Sequence, residues 1–137
     1  MIVEHHMDHR VSFGDCDPAG IAFYPNMFAW FDRTFHDWLR PHGGQAALCA
    51  RLGSIGFGLM EAGAKFRTPL RPDDLLTLTL RVEEWGNKTL RLHYAGHVGD
   101  RLALTGHEVR GLFQPTQGGI TAAAITPLRD ILCQHGG

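Results

Sequence analysis

Phe13-Gly14-Asp15-Cys16-Asp17-Pro18-Ala19-Gly20-Ile21, followed closely by Tyr24-Pro25-Asn26, places two acids on a tight turn just ahead of a helix start. Gly14, Pro18 and Gly20 punctuate the stretch as a turn, and Pro25 suits the first helical position, where its missing N–H would have gone unpaired anyway. Backbone N–H groups at a helix start have no intrahelical acceptor. The segment therefore brings carboxylates and free N–H donors together where both can face one substrate atom.

Working outward, the chain reads as a strand, a prominent helix and a run of strands. On the N-terminal side, Val11 and Phe13 alternate with Arg10 and Ser12, which predicts a first strand over 9–13 closed by Gly14. On the C-terminal side, Met27, Phe31, Phe35 and Trp38 form a helical stripe from Asn26 to about Arg40, widened by Phe28, Trp30 and Leu39, so protein should wrap much of this helix. Pro41 and Gly43-Gly44 end it. Residues 43–56 read equally as loop or as a short second helix around Gln45 to Leu52.

From Leu59 the period changes to two. Leu76, Leu78, Leu80 and Val82 alternate with polar residues, as do Leu90, Leu92 and Tyr94, and Leu102 and Leu104 lead into a strand through Val109 to about Phe113. Gly86-Asn87 and Gly99-Asp100 predict two tight hairpin turns. One long helix followed by an antiparallel meander predicts an α+β domain, its sheet curled round the helix to bury the aromatic stripe.

Composition narrows the function classes. A chain of 137 residues makes a single domain, 1–137, with 44% hydrophobic and 20% charged residues, as in ordinary globular proteins. No apolar run approaches the roughly 18 to 20 residues of a membrane span. Met1-Ile2-Val3-Glu4-His5-His6 also lacks the layout of a secretory signal, so no membrane partner and a cytoplasmic location are expected. Three cysteines, Cys16, Cys49 and Cys133, at unrelated spacings suit reduced thiols. A net charge of −1 with scattered basic residues, all arginine except Lys65 and Lys88, gives no nucleic-acid footprint.

The run from Phe13 to Tyr24, with Asn26, Trp30 and Asp32, resembles the 4-hydroxybenzoyl-CoA thioesterase family of the hot-dog fold, whose signature begins as Asp-Cys-Asp-Pro-Ala-Gly-Ile. Phe66, Asp73-Asp74-Leu75, Trp85 and Lys88 follow in matching order, so the resemblance covers about residues 8–113. It implies a single hot-dog domain that hydrolyses an acyl-CoA thioester to free acid and CoA, with Asp17 as the catalytic carboxylate and the backbone N–H of Tyr24 as the oxyanion donor. The chemistry fits: a carboxylate either attacks a thioester carbonyl to give a mixed anhydride or activates water, and N–H groups at a helix start stabilise the oxyanion. Taken without the resemblance, Asp17 reads first as a turn-capping acid, and it is the long contiguous match that reverses that reading. Asp15 reads as local support. Cys16, flanked by Asp15 and Asp17, is a poor nucleophile, because two carboxylates disfavour its thiolate.

The resemblance carries further residues. In the aryl-CoA branch an acid at the place of Asp32 contacts the ring hydroxyl of the acyl group, which points to a hydroxybenzoyl-like substrate; read alone, Asp32 is a helix-face acid paired with Arg33 or His36. Relatives carry two arginines and a lysine after the hairpin tryptophan for the CoA phosphates. Here the run is Trp85-Gly86-Asn87-Lys88, leaving Lys88, with Arg91, for that task. Phe57-Gly58 replaces a more polar pair lining the acyl pocket. Some hot-dog thioesterases use a Glu from another element, but no family motif surrounds Glu61.

His5, His6 and His9 cluster on a terminal segment expected to fray and lack a compact zinc spacing, so no metal site is expected. No phosphate-binding Gly-rich loop is present, and no cofactor is implied beyond CoA as part of the substrate. An open-edged sheet round one helix implies, with the family, a homodimer or homotetramer whose acyl-CoA sites lie between protomers. Rival readings are a non-catalytic acyl-CoA or acyl-carrier binding protein and a short- or medium-chain fatty acyl-CoA thioesterase. A hot-dog hydratase would need an Asp/His motif that is absent.

Overall fold

The computed structural model describes residues 3–133; residues 1–2 and 134–137, the outermost parts of the domain read from the sequence, lie outside the described residues. The elements run β1 (Glu4–Arg10), a 3₁₀ turn (Phe13–Asp15), α1 (Pro25–Leu39), a 3₁₀ turn (Arg40–His42), α2 (Gly44–Leu52), β2 (Gly56–Phe66), β3 (Leu75–Trp85), β4 (Leu90–Val98), β5 (Arg101–Thr116), β6 (Gly119–Ala123) and α3 (Thr126–Cys133). The strands form one antiparallel sheet in the order β1-β3-β4-β5-β2, with β6 paired to the far end of β5. This is the α+β hot-dog arrangement that the resemblance implies.

The sheet curls round α1 because α1 is apolar on more than one side. Met27, Trp30, Phe31, Phe35, Trp38 and Leu39 are all buried, against Leu76, Leu78 and Leu80 of β3 and Leu90 and Leu92 of β4. Burying each such side chain stabilises the fold by about 1.5–3 kcal/mol. Helix and sheet meet where Phe31 stacks on Tyr94, with centroids 4.5 Å apart. A Cβ on Gly106 would overlap the Phe31 ring, so only glycine permits this approach.

Several expectations change. The first strand is β1, Glu4–Arg10, paired residue for residue with β3 from Glu4↔Arg81 to Arg10↔Leu75, and not 9–13. Past Arg10 the chain turns into the 3₁₀ segment, so Val11 is buried while Phe13 is 86% exposed, and the two do not share a strand face. The histidine-bearing N-terminal segment does not fray: the ladder with β3 holds it, His5 pairs with Asp37 at 2.7 Å, and His6 meets Thr79 at 2.9 Å. Gly99-Asp100 is a tight turn with Gly99 at φ 60°, but the β3–β4 connection is the longer 86–89, closed by a bond from Gly86 N to Thr89 O of 2.8 Å.

Residues 44–52 are helical, with Leu48 and Cys49 buried. The core also extends past Phe113 to Ile125, Leu128 and Leu132. The five-strand path of the sheet ends on two edges, β1 and β2. β2 carries Leu59, Met60 and Phe66 exposed.

Candidate active site

The acidic turn is a small folded unit. Cys16 and Ala22 form an isolated bridge, Asp17 N donates to Ile21 O at 2.9 Å, and Gly20 N donates to Asp17 O at 2.9 Å. Gly20 sits at φ 79°, a left-handed conformation glycine adopts without penalty. Ala19 N donates to Asp17 Oδ1 at 2.9 Å. Asp17 thus caps its own turn with one carboxylate oxygen, while its Oδ2 has no partner among the described residues.

Asp15 anchors this unit. Its Oδ2 accepts from Ser12 N at 2.9 Å and pairs with His9 Nε2 at 3.0 Å. Its carbonyl accepts from Asn26 Nδ2 at 2.8 Å and from Phe23 N at 2.9 Å. Burial alone would raise the Asp15 carboxyl, but the Ser12 bonds and the His9 ring outweigh it and hold the group below its ordinary range. His9 in turn lies 4.5 Å from the Trp30 ring, so turn, β1 and α1 are locked together. Cys16 packs on the core, and burial followed by Asp15 and Asp17 pushes its thiol up.

The N–H groups at the start of α1 are paired with one exception among the described residues. Phe23 N is taken by Asp15 O, Asn26 N by Phe23 O and Met27 N by Tyr24 O, and Pro25 has none. That leaves Tyr24 N–H without an acceptor among the described residues, at the positive end of the helix dipole. Asp17 and Tyr24 line one cavity of about 370 Å³, walled mainly by apolar side chains including Ile21, Met27, Phe66 and Leu70, with Arg67 and Thr68 at one side. A carboxylate with a spare oxygen and an unpaired N–H thus share an apolar hollow, the arrangement acyl transfer needs.

The remaining residues singled out from the sequence lie elsewhere. Asp32, on α1, is 52% exposed and accepts from Arg110 Nη2 at 2.9 Å, with His36 Nε2 at 3.4 Å; Arg33, the other expected partner, does not pair with it. Phe57 is buried with its ring 5.8 Å from that of Phe35, and a Cβ on Gly58 would overlap the Phe113 ring. Lys88 is exposed in the 86–89 connection. Arg91 is committed to Glu83 at 2.9 Å and Glu61 at 3.7 Å, and Glu61 also meets His107 at 2.8 Å.

Sequence reasoning missed a buried polar network beneath α1. Arg110 and Glu108 of β5 are 5% and 3% exposed at the side chain and pair at 2.9 Å. Tyr94 donates to Glu108 at 2.6 Å, and the Arg110 guanidinium stacks 4.1 Å over the Phe35 ring. Burial and Glu108 push the Tyr94 hydroxyl well above its ordinary range. Burial opposes the charge on Arg110, but Glu108 and Asp32 more than restore it. The signal was present: Glu108 and Arg110 fall on the same strand face as Leu104 and Leu112, charged residues at core positions.

A family model described as the thioesterase superfamily matches residues 19–105, beginning just after Asp17. The 4-hydroxybenzoyl-CoA thioesterase of Pseudomonas sp. strain CBS-3 is 32% identical over 85 residues, 61% of this chain and 60% of that protein. A 1,4-dihydroxy-2-naphthoyl-CoA hydrolase of Prochlorococcus marinus is 23% identical over 100 residues, 68% of this chain and 66% of its own length. By sequence, therefore, the chain spans less than two thirds of these curated relatives. In structure, the Pseudomonas enzyme superposes with a TM-score of 0.83 at 26% identity, covering 95% of this chain and 99% of that one. A gentisyl-coenzyme A thioesterase gives 0.77 at 29% identity, covering 90% and 98%. With more than half its length matched by the family model and the sheet-wrapped helix of the fold in place, the chain belongs to the thioesterase superfamily.

Proposed function

We propose that this protein hydrolyses an aryl-CoA thioester, hydroxybenzoyl-CoA-like or closely related, to the free acid and CoA. The observation that carries this reading is the shared cavity of Asp17, with one carboxylate oxygen unpaired, and Tyr24, with the one N–H at the helix start that lacks an acceptor. The relatives named above support the acyl class, since 4-hydroxybenzoyl, dihydroxynaphthoyl and gentisyl groups are all hydroxylated aryl acids.

In this reading the thioester carbonyl points its oxygen at Tyr24 N–H, which strengthens as negative charge develops there. Asp17 Oδ2 either attacks the carbonyl carbon, expelling the CoA thiolate and leaving a mixed anhydride for water to cleave, or takes a proton from the attacking water. Asp15 holds the turn in register without touching substrate. Only the carboxylate, the N–H and water take part, with CoA entering as part of the substrate.

Two protomers complete the site. Pairing β2 with its own copy about a twofold axis covers Leu59 and Met60 and satisfies an open edge. Antiparallel pairing then sets Phe66 of one protomer opposite the start of β2 in the other, where Phe57, Gly58 and the Asp32–Arg110 pair lie. The acyl ring runs from Asp17 in one chain toward Asp32 in its partner, and Lys88 serves the CoA phosphates across the same boundary. We place the enzyme in the cytoplasm, in keeping with its unpaired Cys16, Cys49 and Cys133.

Thiol release from benzoyl-, 4-hydroxybenzoyl-, phenylacetyl- and short fatty acyl-CoA tests the proposal. Fastest turnover is expected with a hydroxylated aryl ester. Preference for the fatty esters would replace the aryl assignment, and tight binding without release from any of them would make the protein a binder.

A further inference from the structure

We propose that the phosphate-bearing tail of the coenzyme rests in a groove on the outer face of the sheet, held by Lys65 and Arg67. This rests on the thioesterase reading and adds the place of the nucleotide end. A second cavity, of about 470 Å³, runs across β2, β5, β4 and β3, bordered by Lys65, Arg67, Thr105 and His107 and, further along, by Arg91 and Glu83. Arg67 lines this cavity and the Asp17 cavity alike. The alternation of β2 explains how: Phe66 turns toward Tyr24, with ring centroids 6.4 Å apart, while Lys65 and Arg67 on either side of it face the other way. A ligand whose thioester lies at Asp17 reaches the outer groove by passing round Arg67.

Charge assigns the occupant. Arg91, which also borders the groove, is tied to Glu83 at 2.9 Å, and His107 to Glu61 at 2.8 Å. Lys65 and Arg67 meet no carboxylate among the described residues, so the end of the groove nearest Asp17 carries two unneutralised cations. Arginine and lysine together, open to solvent and without a carboxylate, suit phosphate. The route between the cavities has a polar group to spare: Thr68 Oγ1 is buried without a hydrogen-bond partner among the described residues, and Thr68 lines the Asp17 cavity beside Arg67. An unsatisfied buried hydroxyl is costly, and the amides linking thioester to nucleotide are suitable partners. The 86–89 hairpin offers only Lys88, so cations at Lys65 and Arg67 supply what a pyrophosphate and a further phosphate require.

The test compares 4-hydroxybenzoyl-CoA with 4-hydroxybenzoyl-pantetheine, which keeps the thioester and amides but lacks the nucleotide. In Lys65→Ala and Arg67→Ala the ratio of KM for the CoA ester to KM for the pantetheine ester should rise about tenfold each, as expected for a lost charge-assisted bond, with kcat on the CoA ester little changed. Arg67→Lys should recover part of the loss. An equal rise in KM on both esters would show that the end of β2 had merely been disturbed, and an unchanged ratio would mean that the phosphates lie elsewhere; either result overturns the proposal. Calorimetric titration with free coenzyme A separates the two readings. If the native protein cleaves neither ester, the thioesterase proposal fails, while weaker coenzyme A binding in the Lys65→Ala/Arg67→Ala variant still supports the groove and equal binding rejects it.

Discussion

Arg110 Nη2 donates to Asp32 Oδ1 at 2.9 Å from a guanidinium that is 5% exposed, so a surface acid on α1 is held from beneath by a charge in the core. Glu108, 3% exposed, compensates that charge, and Tyr94 hydrogen-bonds to Glu108. Buried ion pairs seldom stabilise relative to apolar packing, but removing one partner strands the other charge. Arg110→Met should therefore cost about 3–5 kcal/mol in urea unfolding, and adding Glu108→Gln should recover much of it. Equal losses in the single and double variants would mean that the pair is not coupled as its geometry indicates.

The same pair aims Asp32. If Asp32 receives the ring hydroxyl, Asp32→Ala should lower kcat/KM for 4-hydroxybenzoyl-CoA by about tenfold or more while changing benzoyl-CoA turnover little, the size of one hydrogen bond to a charged group. Equal losses on the two esters would remove the hydroxyl contact.

Much of the fold was legible because burial leaves a period in the sequence. The aromatic stripe of α1 and the leucines of β3 and β4 lie where alternation placed them, since each buries an apolar face. β1 escaped because its half-buried face is His5, Met7 and His9. His5 is satisfied by Asp37, far along the chain, and His9 by Asp15 just beyond the strand, so no local hydrophobic pattern marks it. Glu108 and Arg110 escaped for a related reason: each is tolerable in the core only because the other is there. The acidic turn was legible as a motif, but the spare oxygen of Asp17 and the unpaired N–H of Tyr24 emerge only when every neighbouring donor is assigned an acceptor.

Asp15 should make the active-site turn sensitive to acid. Its folded carboxyl titrates below the unfolded value of about 3.9, so its contribution is complete above that value and is lost as pH falls through the folded one. The gap in Tm between native protein and Asp15→Asn should correspond to about 1 kcal/mol above roughly pH 5 and shrink below roughly pH 4. A gap that widens in acid would contradict the assigned direction.

Cys16 should be chemically quiet. With its thiol raised by burial and by Asp15 and Asp17, alkylation by iodoacetamide at pH 7 should run well below the rate for an exposed free thiol, and Cys16→Ser should keep activity within about threefold. Rapid alkylation with loss of turnover would reopen Cys16 as a participant.

The central claim is that the Asp17 carboxylate performs the chemistry. Single-turnover hydrolysis of 4-hydroxybenzoyl-CoA by native protein and Asp17→Asn tests it directly, because the amide keeps the size of the side chain and its cap on Ala19 N while losing the reactive oxygen. The rate should fall by about two to four orders of magnitude with substrate affinity nearly unchanged. Hydrolysis by Asp17→Asn at the native rate would contradict the account.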